Sequence, residues 1–223
     1  KVDKAYQLVE KMQQGTNIAL ITDAGTPGIS DPGEDLVRIC YEQGIEVTSL
    51  PGAAACITAL TLSGLPTRRF SFEAFLPKEK KERAAVLEEL KNDTRTLIVY
   101  EAPHHLLGTL KELQNALGDR RLTVCRELTK KFETAFQTTF SEAIRYYEEQ
   151  GVRGECVLVI EGRSREELVQ EAQQSWEAIS VEEHMEHYLS TGMDRKSAMK
   201  QVAKDRGVGK REIYQMLLNA ENQ

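Results

Sequence analysis

The residues best suited to hold a ligand form one glycine- and proline-rich segment, Asp23–Gly33, with the sequence Asp-Ala-Gly-Thr-Pro-Gly-Ile-Ser-Asp-Pro-Gly. It follows the apolar run Ile18–Thr22 and precedes a helical pattern that begins at Glu34. Glycine allows positive φ and close backbone approach, and proline fixes φ. A strand, a glycine-rich turn and a helix present backbone groups to ligands in open α/β sheets. The segment therefore predicts a ligand-binding loop, with an ordinary tight turn as the alternative.

A second segment repeats this layout. Ile45–Thr48 is predicted to be a strand, and Pro51-Gly52 leads into small residues from Ala53 to Leu60 that favour a closely packed helix. A helix that begins at Ala53 would direct its free N–H groups toward the ends of the strands. Two such units place their loops at one sheet edge, so we expect a parallel, doubly wound arrangement there.

Composition excludes several classes of protein. The chain has 223 residues, is 40% hydrophobic and carries a net charge of −6. No window approaches the roughly 18 apolar residues of a membrane span, and no signal peptide is visible. The cysteines sit singly in apolar patterns, which suits a reducing compartment, so we expect a cytoplasmic protein without membrane contact. The four cysteines form no CxxC pair, and His184 and His187 lack a third ligand, so no metal is expected. Basic clusters at 120–131 and 190–211 suit phosphate, although solvated helix faces would look the same.

The remaining pattern predicts three parts, at residues 1–66, 67–163 and 164–223. Helices are expected from Val2 to Met12 and over Glu34–Gln43 in the first part. The second part alternates strands and helices: Phe70–Phe75, helix Glu79–Lys91, Thr94–Tyr100, helix Pro103–Leu117 with the proline in its first turn, Leu122–Cys125, an irregular strand within Phe132–Phe140, helix Ser141–Gln150 capped by Ser141, and Cys156–Ile160. The third part begins with a charged helical segment, Arg163–Glu177, that is expected to serve partly as a linker. Three short helices separated by glycines follow: Val181–Leu189, Arg195–Arg206 and Lys210–Asn219. Their spacing resembles a helix-turn-helix.

Six motifs occur in a specific order along the chain. They are the loop Asp23–Gly33, Pro51-Gly52-Ala53-Ala54-Ala55 with Leu62–Pro66, Phe75-Leu76-Pro77, Tyr100-Glu101-Ala102-Pro103-His104, Arg126-Glu127-Leu128-Thr129-Lys130, and Gly154-Glu155. In this order they resemble the tetrapyrrole methylase-like (class III) methyltransferases. Within that family they are similar to the branch that methylates the ribose 2′-oxygen of a cytidine in the decoding region of bacterial 16S ribosomal RNA.

The resemblance implies two α/β domains with S-adenosylmethionine between them, S-adenosylhomocysteine as product, and a homodimer that acts on the small ribosomal subunit. It implies a helical extension after the two domains. The cofactor-binding positions that it implies are Gly25, Thr26, Pro27, Ile29, Ala53, Ala54, Ala55, Tyr100, Glu155, Cys156 and Val157.

The ribose hydroxyl is a poor nucleophile, so a nearby base would assist the implied reaction. Glu101 and His104 follow the Thr94–Tyr100 strand and suit this role, with Glu127 and Lys130 as alternatives. For Glu101, a helix N-terminal acid is the other interpretation. Contacts to RNA are expected from Arg126, Lys204, Lys210 and Arg211, although Arg126 could instead pair with Glu127.

The sequence departs from the family pattern at three places. The family begins with a strand and a Gly-Thr-Pro-Ile-Gly-Asn-Leu-like loop that this sequence does not contain, so we expect the chain to start after them. His105 stands where arginine is frequent, and Lys131-Phe132-Glu133 replaces a His-Glu-Glu pattern. Two other functions remain open: a methylase of a small tetrapyrrole, and a non-catalytic RNA-binding module. The basic third part disfavours the former, and the two shaped loops disfavour the latter.

Overall fold

The computed structural model describes residues 2–221 of the chain. Contacts divide it into two compact units, Lys1–Gly162 and Arg163–Gln223. The division into three parts expected from the sequence stays a prediction.

The first unit contains a five-stranded mixed sheet. Its strands are β1 (Phe70–Phe75), β2 (Thr96–Glu101), β3 (Arg121–Arg126), β4 (Thr134–Thr139) and β5 (Cys156–Ile160). Their order is β1-β2-β5-β3-β4, with β1 parallel to β2 and the other neighbours antiparallel. The helices of this unit are α1 (Val2–Gln13), α2 (Glu34–Glu42), α3 (Ala55–Ser63), α4 (Lys80–Leu90), α5 (Leu106–Leu117) and α6 (Phe140–Gln150).

Each face of the sheet has its own apolar core, because successive strand side chains point to opposite faces. Leu158 and Ile160 of β5 pack with leucines of α5 and with Phe140 of α6. The alternate residues Val157 and Val159 pack under α3 on the other face. Every residue of β5 is buried, which explains its continuous apolar sequence.

One edge of this sheet collects most of the predicted site residues. The carboxyl ends of β1, β2 and β3 lie beside the amino ends of β5 and β4, because Phe75 aligns with Tyr100, Tyr100 with Val157, and Val157 with Cys125. We call this end of the sheet, where β1, β2 and β3 finish and β4 and β5 begin, the site edge.

Two expected strands do not form. Neither Ile18–Thr22 nor Ile45–Thr48 is a strand, and within residues 2–221 no ladder joins these segments to each other or to the sheet. A strand needs a hydrogen-bonded neighbour, and local apolar character cannot supply one. Ile21 is accordingly 82% exposed. The parallel arrangement expected for the two loop units is therefore not present, although α1 and α2 pack together through Val9 and Ile39.

Two helix starts also differ from expectation. Pro103 lies in a turn and not in the first turn of α5, because the Ala102 carbonyl accepts bonds from the N–H groups of both His105 and Leu106 before the helix begins. Helix α6 is capped by Thr139 and not by Ser141, through a reciprocal capping box with Glu142. Strand β4 is regular, with an unbroken antiparallel register to β3.

The second unit contains four helices, α7 (Arg165–Glu177), α8 (Val181–Ser190), α9 (Arg195–Asp205) and α10 (Lys210–Glu221). Ser164, Ser180 and Asp194 cap the first three of these helices with their side chains. The apolar faces of α8, α9 and α10 form a core that includes Met185, Val202 and Ile213. His184 is buried beside this core and stacks on Trp176 with ring centroids 3.9 Å apart.

Candidate active site

The two glycine-rich loops dock on each other through one carbonyl oxygen. The backbone N–H of Thr26 donates to the Ala53 oxygen at 2.9 Å, and the Thr26 hydroxyl donates to the same oxygen at 3.0 Å. Gly25 has φ +77°, and a Cβ there would lie 3.1 Å from that oxygen, while a Cβ on Gly52 would lie 2.9 Å from the Thr26 hydroxyl. A side chain at either position would therefore crowd this contact. Gly25 and Ala53 remain exposed, which leaves their backbone accessible to a ligand.

Tyr100 connects these loops to the site edge. The backbone N–H of Cys56, in the first turn of α3, donates to the Tyr100 hydroxyl at 2.9 Å. Burial raises the pKa of Tyr100, and the neighbouring Cys56 raises it further, so the hydroxyl stays neutral at physiological pH. Tyr100 thus fixes the start of α3, where the backbone of Ala53–Ala55 turns into the helix.

A second cluster joins the end of β3 to the start of β5. The Glu127 carboxylate accepts from the Glu155 N–H at 3.0 Å and from the Lys130 ammonium at 3.2 Å. The same ammonium donates to the Glu155 carboxylate at 3.0 Å. Bonding to Lys130 and to the Glu155 N–H lowers the pKa of Glu127, and bonding to Glu155 and then Glu127 raises the pKa of Lys130. A Cβ at Gly154 would overlap the Glu127 side chain, so glycine is required there.

The Glu101 side chain points away from the two docked loops. Glu101 follows Tyr100 in β2, so its side chain lies on the opposite face of the sheet. The carboxylate is 7% exposed, accepts from the Thr109 hydroxyl at 2.5 Å and accepts from the Ala102 N–H at 2.8 Å. Neither bond is to a backbone N–H of α5, so the helix N-terminal acid considered for this residue stays a prediction.

Two further predicted residues lie on that same face. Cys156 aligns with both Glu101 and Arg126 and packs in the core under α5 and α6. Burial raises its thiol pKa to about 12. Arg126 donates to the Thr134 hydroxyl and the Arg153 carbonyl. The structure therefore brings Val157 together with Tyr100, and separates both from the Cys156 side chain.

His104 and His105 lie in the turn between β2 and α5, and both are exposed. Their ring centroids are 4.1 Å apart. Among residues 2–221, the His104 side chain takes part in no ion pair. His104 is therefore open to solvent at the site edge.

Of the four basic residues expected to contact RNA, Arg126 belongs to the first unit and the other three to the second. Lys204 in α9 and Lys210 and Arg211 in α10 are exposed. Arg206 of the same basic cluster is used inside the unit instead. It donates to Nδ1 of His184 at 3.1 Å and to the Ile179 carbonyl at 2.7 Å. Burial and then the Arg206 charge lower the pKa of His184.

Two open cavities lie in the first unit, and neither is lined by Tyr100 or Val157. One, of about 910 Å³, is lined by Arg126, Phe136, Tyr146 and Tyr147 among others. The other, of about 590 Å³, lies between α2 and the first loop at Pro27 and Gly28. Within the described part of the chain, no group of three or more His, Cys, Asp or Glu side chains could hold a metal. No helix in that part is long and apolar enough to cross a membrane.

Sequence reasoning missed two aromatic residues at this site. The rings of Phe72 and Phe75 lie 5.0 and 5.7 Å from the Tyr100 ring, both edge-to-face. The motif Phe75-Leu76-Pro77 was the available signal, but it gave no indication of which face of β1 the Phe75 ring occupies.

The mixed sheet, flanked by helices and with glycine-rich loops at one edge, defines an α/β protein of the tetrapyrrole methyltransferase fold. The structure matches the methyltransferase CobJ with a TM-score of 0.54 at 19% identity, over 71% of this chain and 70% of that one. It matches uroporphyrin-III-C-methyltransferase from Thermus thermophilus with a TM-score of 0.51 at 18% identity, over 71% and 70%.

Sequence comparison gives a closer relationship. The family model of Tetrapyrrole (Corrin/Porphyrin) Methylases matches residues 1–144. The Ribosomal RNA small subunit methyltransferase I of Halalkalibacterium halodurans is 46% identical over 93% of this chain and 71% of the relative. The protein of that name from Bacillus subtilis is 46% identical over 96% and 73%. The chain therefore belongs to the tetrapyrrole methylase family and, within it, to the family of the ribosomal RNA small subunit methyltransferases I. This confirms the resemblance recognised from the ordered motifs.

Proposed function

We propose that the protein transfers a methyl group from S-adenosylmethionine to the ribose 2′-oxygen of a cytidine in 16S ribosomal RNA. The observation that carries the proposal is the convergence of the docked loops, the start of α3 and Tyr100 at the site edge. Relatives at 46% identity carry the name of a small-subunit RNA methyltransferase, which favours RNA over a tetrapyrrole as substrate.

The residues present fit the proposed cofactor. A Cβ on Gly25 or Gly52 would intrude on the contact between the loops, and the exposed Ala53 and Ala55 have small side chains. S-adenosylmethionine, when bound, supplies a methyl group on a positively charged sulfur. Exposed backbone and small side chains suit such a ligand, because they allow close approach without adding charge. Thr26, Pro27 and Ile29 of the first loop, with Val157 and the backbone of Glu155, complete the proposed cofactor-binding set.

The protein contributes mainly by positioning, which supplies much of the rate in displacement reactions. The bonds from Thr26 to Ala53 hold the two loops in one arrangement. Tyr100 fixes the start of α3 relative to the sheet, and Glu127 fixes the start of β5. These bonds keep the proposed cofactor site in register with the site edge.

Among the four candidate bases, the contacts favour His104. Glu101 is buried and held by Thr109. Glu127 has a lowered pKa, which makes it a weaker base, and the raised pKa of Lys130 keeps that residue protonated. His104 is exposed at the site edge and free of ion pairs within the described residues. We assign His104 the role of accepting the ribose hydroxyl proton, and Lys130 that of a positive charge near the RNA backbone.

The second unit supports RNA as the partner. Lys204, Lys210 and Arg211 are exposed, and none has a carboxylate partner among residues 2–221. Exposed basic side chains on a pair of short helices suit phosphate contacts. Arg126 is held by Thr134 and Arg153, so its contact with RNA would require rearrangement.

A homodimer is part of the same proposal. Strand β4 is an edge of the sheet, and an open edge is a site for pairing with another chain. Exposed aromatic side chains lie nearby, with Phe132 68% and Tyr146 49% exposed. A single species at twice the chain mass in light scattering is the expected result.

The decisive experiment is methyl transfer from labelled S-adenosylmethionine to small ribosomal subunits that lack decoding-site methylation. Mass spectrometry of the product nucleosides should identify 2′-O-methylcytidine. His104→Gln should lower kcat for methyl transfer. His105→Gln is the matched control, since it alters an equally exposed neighbouring ring. Equal loss in both variants would refute the assignment of His104, and label in another nucleoside or none would refute the proposed reaction.

A further inference from the structure

Strand β1 contains an irregularity that changes the direction of its last side chain. Phe72 aligns with Ile98 and Phe75 aligns with Tyr100, so three steps along β1 match two steps along β2. The register shift lies between Phe72 and Ala74. Such bulges are rare between parallel strands and are used near active sites to redirect a side chain.

The bulge moves Phe75 to the face occupied by the cofactor loops. In a regular strand, residues three positions apart point to opposite faces, so Phe72 and Phe75 would be separated by the sheet. The extra residue brings both rings to Tyr100, at centroid distances of 5.0 and 5.7 Å. Ala74 adopts φ +51°, a strained value for a residue with a side chain. The Ser71 hydroxyl donates to the Glu73 carboxylate across the bulge.

Phe75 is held rigidly but is not covered. The next residue, Leu76, is 5% exposed and belongs to the core. The Pro77 carbonyl accepts from Arg83 at 3.4 Å, and the same guanidinium donates to Thr109 at 2.8 Å. In contrast, the Phe75 ring is 55% exposed. The strained backbone at Ala74 thus holds the Phe75 ring at the surface. Burial of the ring cannot compensate for the strain, because the ring is mostly exposed.

We propose that Phe75 is the platform on which the base of the acceptor nucleotide stacks. This inference rests on the proposed function, since it places the acceptor at the site edge. Unpaired RNA bases are recognised by stacking on aromatic side chains. Tyr100 joins Phe75 to the start of α3, so a base on Phe75 lies next to the proposed cofactor site. Lys78 is exposed three residues further on and has no carboxylate partner among residues 2–221, which suits the adjoining phosphate.

The test compares two phenylalanines at opposite ends of the same strand. Phe75→Ala should lower kcat/KM for RNA roughly 5- to 150-fold, the loss expected for one stacked base, without changing the Kd for S-adenosylhomocysteine. Phe75→Trp should retain activity. Phe70→Ala is the control, because Phe70 is 37% exposed at the other end of β1. Equal effects of Phe70→Ala and Phe75→Ala would overturn the inference.

A second readout does not depend on the reaction. In a Trp176→Phe background, the indole introduced by Phe75→Trp is the single tryptophan of the chain. Its fluorescence should be quenched by a short single-stranded RNA that contains cytidine. Absence of quenching by bound RNA would overturn stacking even if wild-type protein methylates RNA. Quenching without methyl transfer by wild-type protein would retain stacking and reject the proposed reaction.

Discussion

Gly25→Ala should weaken the binding of S-adenosylhomocysteine more than Gly28→Ala does. The two glycines belong to the same loop and have nearly the same backbone conformation, with φ +77° and +79°. They differ in their surroundings. A Cβ on Gly25 would lie 3.1 Å from the Ala53 oxygen, whereas a Cβ on Gly28 would have nothing within 4 Å. The pair therefore separates backbone strain from the contact between the loops.

The expected difference follows from the bonds that the new methyl group would disturb. Left-handed backbone costs alanine about 1–2 kcal/mol, and this cost is common to both variants. Gly25→Ala also displaces the Ala53 oxygen, which accepts two hydrogen bonds from Thr26. Each such bond contributes about 0.5–1.5 kcal/mol, so their loss adds about 1–3 kcal/mol. Gly25→Ala should then bind the cofactor product roughly 5- to 150-fold more weakly than Gly28→Ala.

Isothermal titration calorimetry with S-adenosylhomocysteine measures both dissociation constants. Circular dichroism should be unchanged in both variants, because neither glycine contacts the five-stranded sheet. Equal dissociation constants for the two variants would show that the bonds from Thr26 to Ala53 do not support cofactor binding, and the assignment of the two loops would then be rejected.

Three further outcomes are expected. Glu101→Gln should keep the rate of methyl transfer within a few-fold of wild type. It should lower the free energy of unfolding by roughly 1–3 kcal/mol, since the carboxylate is bonded to Thr109 and Ala102. A large loss of kcat at unchanged stability would instead identify Glu101 as the base. Burial raises the thiol pKa of Cys125 to about 11 and of Cys156 to about 12, from 9.0. The unfolded chain therefore releases these protons first, and urea titrations should show stability falling as pH rises from 9 toward 11, with a smaller slope in Cys125→Ala. Replacing the exposed residues Lys204, Lys210 and Arg211 together by glutamate should weaken RNA binding measured by filter binding. The slope of log K against log salt concentration should become shallower by about 2, while calorimetry should show unchanged cofactor affinity. An unchanged slope would exclude these residues as an RNA contact surface.

The apolar pattern predicted the bounds of two strands of the sheet. The bounds of Phe70–Phe75 and Cys156–Ile160 agree with the structure, because alternating or continuous apolar residues record how many faces of a strand are covered. The strands expected at Ile18–Thr22 and Ile45–Thr48 also had apolar or alternating sequences. They do not form, because a strand also depends on a neighbour that may lie far away in sequence. Apolar pattern alone therefore indicates a capacity for pairing and not the pairing itself.

The motifs predicted which residues form the candidate site, but not which face of the sheet each side chain occupies. Tyr100, Glu101, Cys156 and Val157 all lie at the site edge. Alternation along the strands then assigns Tyr100 and Val157 to the face covered by α3, and Glu101 and Cys156 to the opposite face. The register that decides this depends on the neighbouring strands. The bulge before Phe75 could not be predicted locally either, because no residue type in Phe70–Phe75 indicates an extra residue in this strand relative to its neighbour.

The strained residues of the chain support the location of the site. Among residues 2–221, the non-glycine residues with positive φ are Ser30, Ala74, Glu127 and Thr129. Ser30 lies in the first glycine-rich loop, Ala74 forms the bulge before Phe75, and Glu127 and Thr129 flank Leu128 in the connection that holds the start of β5. Such conformations cost about 1–3 kcal/mol each and persist where the surrounding contacts require them. Within the described residues, these conformations occur only in the first loop and at the site edge. Departures from the backbone conformation that a residue prefers are expected at functional sites. Glycine at position 74 would relieve the strain in β1 and should stabilise the protein. If Ala74→Gly also leaves kcat/KM for RNA unchanged, the strain itself has no role and the bulge acts only through the direction it gives to Phe75.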